Sequence, residues 1–191
     1  MKNDKIKRMV GLGLFTAIVV VLQLLGSFIR FGTFSVSLVL VPLVVGAALY
    51  GVGAGAWLGA VFGFAVLASG DAALFWAVNV PGTLLTVMAK GILAGLVAGA
   101  VYRLLAGKSA LVATVAAALA CPLVNTSVFL LGCRLFFFDT IAAMAQNAGF
   151  AGSTGAFLIV GMVGLNFVAE LVFNIVLSPA IVRLVQLGKK R

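Results

Sequence analysis

The sequence predicts an all-α membrane protein, a compact bundle of six transmembrane helices with both termini cytoplasmic. Three observations carry that reading. Of 191 residues, 64% are hydrophobic and only 9% are charged, at a mean hydropathy of +1.29. A soluble domain of this size cannot hide so much apolar surface, so lipid must be the solvent. The apolar residues fall into long runs, and the basic residues gather at the run ends.

The spans expected are about residues 9–29, 36–50, 52–69, 82–105, 110–133 and 156–185, within a single domain over residues 1–191. The first follows Lys2, Lys5, Lys7 and Arg8 and is too long for a signal-peptide core, so it reads as a retained span. The second and third form a tight hairpin turning at Tyr50-Gly51-Val52-Gly53. Both are short for a hydrocarbon core that needs about 20 helical residues, so one or both are expected to tilt little, to be extended by neighbouring residues, or to be partly irregular where protein covers them. The fifth contains Cys121-Pro122, where proline frees a carbonyl and bends a helix; Asn125 and Thr126 are expected to interrupt it.

Charge placement orients the bundle. Arg103 and Lys108 flank the loop between the fourth and fifth spans, on the side of both basic termini. Arg30 and Arg134 fall on the other side and Lys90 within a span, while every other Lys and Arg lies inside. That is the positive-inside pattern, and it accounts for the net charge of +9 without a nucleic-acid surface. The outer connections, residues 70–81 and 134–155, are longer and carry Asp71, Phe75, Trp76, Asn79, then Phe136, Phe137, Phe138 and Asp139. Those phenylalanines suit either an interfacial anchor or a ligand lid.

Glycine recurs every four residues at Gly51, Gly55, Gly59 and Gly63, and again at Gly91, Gly95 and Gly99. Small residues at this spacing let helix backbones meet in lipid; a flexible hinge is the other use. Asn166, Glu170, Asn174 and Ser178 also stand four apart, on one face of the last helix. Such groups are costly in a membrane interior and need a partner, a cavity or a ligand. The upper pair lies nearer the outer face and is the candidate for binding, while Asn174 and Ser178 are deep enough to serve packing.

Lys90 shares a face of the fourth helix with Thr83 and Thr86, roughly 12 Å below its outer end. Its ammonium needs a counter-charge, either Glu170 or an anionic ligand. Asn125 and Asn79 are candidate polar contacts, each with an alternative role at a helix irregularity. Arg134 suits a carboxylate by its planar fork, or pairs with Asp139 or a lipid phosphate. Lys90 and Arg134 together lean toward a carboxylate-bearing ligand.

The sequence contains no histidine. With no phosphate-cradling loop and no paired carboxylates in one segment, nothing assembles an enzyme or a metal site. An ATP-driven process would need its ATPase on another polypeptide.

In the order and spacing of its motifs the chain resembles a substrate-binding S component of an energy-coupling factor transporter. The motifs are Gly13-Leu14-Phe15-Thr16-Ala17, the stretch PLVVGAALYGVGAGAWLGAVFG from Pro42 to Gly63, and the run from Asn166 through Glu170 and Asn174 to Ser178-Pro179. The resemblance implies a prokaryotic, membrane-embedded vitamin-binding protein with no cofactor of its own. It also implies partners: a transmembrane coupling subunit carrying two cytoplasmic ATPases that use the ATP. Asn166, Glu170 and Asn174 match polar positions of that family's last helix. Gly13 and Ala17 match its docking motif of two alanines separated by three residues, with Gly in place of the first. A non-transport scaffold and an autonomous ion-coupled carrier are the competing readings; the lack of an evident internal repeat disfavours the carrier.

Overall fold

The glycine ladders become the central seam of the protein. In a computed structural model of the chain, α3 (Val52–Ser69) and α5 (Val80–Leu105) lie against one another backbone to backbone. A Cβ on Gly55 would strike the Gly95 carbonyl, and one on Gly59 would strike that of Gly91. Gly99 sits against the Val52 Cα in the same way, 2.8 Å from where its own Cβ would be. In lipid the hydrophobic effect does not drive helices together, so this close van der Waals approach is what holds the pair. The packing use of the ladders is the one realised.

The structure describes the backbone of residues 2–28, 30–31, 34–35 and 37–189, and the side chains of 5–28 and 37–187 within it. The expected span limits at Ile29 and Val36, the Arg30 side chain, and Lys190 and Arg191 lie outside the described residues. The chain begins with α1 (Lys2–Gly26), followed by two short antiparallel strands, β1 (Arg30–Phe31) and β2 (Phe34–Ser35). Next comes α2 (Leu40–Tyr50), which turns into α3 at Gly51, where φ is +93° and a side chain would be strained. The one-turn α4 (Ala73–Trp76) precedes α5; α6 (Ala110–Phe136) and α7 (Phe138–Asn147) follow. A single turn, α8 (Thr154–Ala156), leads through a π-helical stretch, Phe157–Val163, into α9 (Gly164–Lys189).

Five of the described helical segments are long and apolar enough to cross a membrane: Lys5–Gly26, Val52–Ser69, Val80–Leu105, Ala110–Phe136 and Thr154–Leu187. The remaining expected span, α2, has 11 residues. At a rise of 1.5 Å per residue it covers about 16 Å, against a hydrocarbon core of ~30 Å. Most of its side chains are buried, including Leu40, Leu43, Val44 and Val45. Protein rather than lipid surrounds it, the condition under which short or irregular backbone is tolerated at membrane depth.

Other expectations are revised. Pro122 does not break its helix: α6 runs unbroken from Ala110 to Phe136 through Asn125 and Thr126. The 134–155 connection is largely helical, through α7. Of its three phenylalanines, Phe137 is buried rather than anchored at an interface, in a cluster with Phe75, Cys133, Ile141, Leu158 and Met162. That cluster caps one end of the bundle. The main core, with Leu43, Leu58, Phe62, Ala98 and Ile181 among its members, fills the rest. The start of α1 lies at the other end, where Arg8 Nη2 donates to the Tyr50 carbonyl at 2.7 Å.

Candidate functional site

Between the two apolar clusters lies a cavity of about 70 Å³. Polar residues reach it from six directions. Gln23 comes from α1, Ser37 from the segment before α2, and Asp71 from the turn after α3. Lys90 projects from α5, Asn125 and Thr126 from α6, and Asn166 and Glu170 from α9. Phe75, Phe129 and Phe167 supply flat apolar wall. Because Ser37 and Asp71 belong to inter-helix connections and Phe75 to the one-turn α4 between α3 and α5, the cavity sits toward their end of the bundle, away from the α2–α3 turn.

The stripe on α9 divides as its depth suggested. Asn166 and Glu170, each 5% exposed, line the cavity. Asn174 and Ser178 are buried below it and bond within the helix: Asn174 Nδ2 donates to the Glu170 carbonyl at 2.8 Å, and Ser178 Oγ to the Asn174 carbonyl at 2.7 Å. Back-bonds of this kind satisfy the donor of each group within the helix, while Asn174 Oδ1 has no hydrogen-bond partner among the described residues. The π-helical stretch immediately before α9 adds a residue per turn and so resets which side chains face inward. Val163, its last residue, lines the cavity.

Glu170 is tied to distant parts of the chain. Its Oε1 accepts the backbone N–H of Ser37 at 3.1 Å, and the Ser37 and Asn125 side chains lie near the same carboxylate. Asn125 is 4% exposed, and its Oδ1 has no hydrogen-bond partner among the described residues. An unbroken α6 thus aims Asn125 at the cavity rather than spending it on a helix break.

Lys90 does not form a direct ion pair with Glu170 or any other carboxylate among the described residues. Its Nζ lies 5.4 Å from the centroids of both the Phe62 and Phe129 rings. Ring faces attract a cation but supply no hydrogen-bond acceptor oxygen. Glu170 and Asp71 both act on it through space.

Asp71 and Gln23 join the site from outside the candidate set. Asp71 Oδ2 accepts from Gln23 Nε2 at 2.7 Å, Ser27 Oγ at 2.9 Å and Ser69 Oγ at 3.3 Å, clamping the end of α1 to the α3–α4 turn. Gln23 is 3% exposed. Its signal was present in the sequence as an amide inside an otherwise apolar run, the same kind of oddity that marks Glu170.

Two candidates lie elsewhere, and neither Asn79 nor Arg134 lines the cavity. Asn79 caps α5, its side chain accepting the Gly82 N–H at 2.9 Å. Arg134 is exposed, its guanidinium 4.3 Å above the Phe138 ring. On α1, Gly13 and Ala17 are both exposed, and a Cβ on Gly13 would meet nothing within 4 Å.

A bundle of apolar helices around an internal polar cavity defines a class, the membrane proteins that hold a small polar solute within their span. The family model described as "ECF transporter, substrate-specific component" matches residues 7–182, and the chain belongs to that family. No significant match was found among curated proteins or solved structures. The family is one of substrate-specific transporter components that work with an ECF coupling and ATPase module, not one of enzymes.

Proposed function

We propose that this protein is the substrate-binding subunit of an ATP-dependent ECF importer in a prokaryotic cell membrane. It captures a vitamin or related micronutrient at the outer face and passes it inward. The single observation that carries the reading is the convergence of Lys90, Asn125, Asn166 and Glu170 on one cavity inside the bundle. The cavity lies at the end away from the basic α1 start and the Arg103–Lys108 loop; by the positive-inside pattern that end is the outer one. On this reading α2 completes six membrane segments, and both termini are cytoplasmic.

The ATP is used by two cytoplasmic ATPases attached to a transmembrane coupling subunit. The exposed small-residue face at Gly13 and Ala17 is the docking surface for that subunit. Sites for ligands of vitamin size run to ~300–1,000 Å³, so the cavity must widen on loading. The Ser37–Glu170 link is the wall best placed to yield, since among the described residues the Ser37 N–H is the hydrogen bond that secures it to α9.

Native mass spectrometry of the protein purified in mild detergent tests the reading. A retained small molecule that is taken up by liposomes only when coupling subunit and ATPases are present supports it. Uptake by this chain alone would favour an ion-coupled carrier, and a folded protein that binds nothing would favour a scaffold.

A further inference from the structure

The charge lining the cavity points to the chemistry of the ligand. Among the described residues Lys90 is the cation at the cavity, and Asp71 and Glu170 are the anions. Both carboxylates already have donors: Gln23, Ser27 and Ser69 for Asp71, and the Ser37 N–H for Glu170. Lys90 has only ring faces, and no acceptor among the described residues reaches its Nζ. Asn125 presents the complementary vacancy, a buried Oδ1 with no donor among them. The lining therefore offers a ligand a strong donor in Lys90 and a buried acceptor in Asn125, with Asn166 Oδ1 a second buried acceptor oxygen, beside the flat faces of Phe75 and Phe129.

From this pattern we infer that the cavity recognises an uncharged amide-type edge, a C=O beside an N–H on a flat ligand, and not a carboxylate. The inference deepens the importer reading and rests on it. An anion would gain Lys90 but face two carboxylates in a low-dielectric interior. A cation would meet the ammonium. A neutral edge gives Lys90 its acceptor and Asn125 its donor while adding no net charge. The sequence leaned toward a carboxylate on the strength of two cations, Lys90 and Arg134, and Arg134 does not line the cavity.

Benzamide and benzoate are matched probes, the same ring carrying the two edges. Binding to the purified full chain is followed by ligand-observed NMR at millimolar concentration, with thermal melting as the check on folding. Benzamide is expected to bind, and benzoate about tenfold more weakly or not at all. Lys90→Met and Asn125→Leu are each expected to lower benzamide affinity by about tenfold, the usual loss when a charged or buried hydrogen bond is removed. Lys90→Gln keeps an N–H donor and should stay within about threefold of the parent. Equal or tighter benzoate binding overturns the inference, as does no binding of either probe to folded protein, or variants that change nothing.

The molecule retained by the native protein separates the two readings. A retained, imported carboxylate lacking an amide edge sinks this inference and leaves the importer standing. Amide-selective probe binding in a protein that never supports uptake with its partners does the reverse.

Discussion

Ser37 donates its backbone N–H to Glu170 Oε1 at 3.1 Å, joining the segment before α2 to the middle of α9 across 133 residues of sequence. The donor is main chain, so the bond does not depend on the identity of residue 37. The acceptor is a carboxylate that also faces the cavity. One side chain thus serves both to close a wall and to line the site.

Glu170→Ala should loosen that wall without unfolding the bundle. A hydrogen bond to a charged acceptor contributes about 1.5–3 kcal/mol, so the Ser37 amide should exchange with solvent about tenfold faster or more. Hydrogen–deuterium exchange in detergent reads this directly. Glu170→Gln keeps an acceptor oxygen and should show a smaller change. Unaltered exchange in Glu170→Ala would mean that other contacts hold the segment.

Gly59→Val should be among the most damaging single changes in the chain. The new Cβ meets the Gly91 carbonyl, backbone against backbone, and neither helix can rotate away without breaking the neighbouring Gly55–Gly95 contact. Overpacking costs about 1–3 kcal/mol where side chains can adjust, and the cost here should reach or exceed that range. Gly53→Ala is the control, since its Cβ meets nothing within 4 Å and it should melt like the parent. Thermal melting of the two variants side by side decides it.

Gly13→Leu and Ala17→Leu should leave the isolated protein unharmed, because both positions are exposed on α1. Under the proposed function they should abolish or sharply weaken co-purification with the coupling subunit, and ligand affinity should stay within about twofold. Intact complexes would move the docking surface elsewhere.

Asn79→Ala should cost about 1 kcal/mol of stability, the usual value of an N-cap, with ligand affinity unchanged. Lost binding in a variant of normal stability would return Asn79 to the site. Arg134→Gln should also leave affinity unchanged, since its guanidinium packs on Phe138 at the surface.

Much of the site was legible because polar groups are expensive in lipid. Asn166, Glu170 and Lys90 stood out against apolar runs, and all three line the cavity. Gln23 carried the same signal. Asp71 and Ser37 did not, because a polar residue in a connection between helices costs nothing until the fold carries it inward. Asn79 and Arg134 lie off the cavity: their chemistry suits a ligand, but nothing in their position forces them to have one.

The sequence by itself determined the solvent, the helices and their periodic faces, since these follow from local composition and the 3.6-residue turn. It also placed the close-packing seam, because glycine at every fourth position leaves only backbone to meet a neighbour. Only the tertiary structure decided what those faces meet. It buried α2 among its neighbours, seated Lys90 between two rings instead of on Glu170, and left the Asn125 Oδ1 without a donor among the described residues. Those outcomes depend on side chains far apart in the chain arriving at one depth, and the crossing of helices sets that depth.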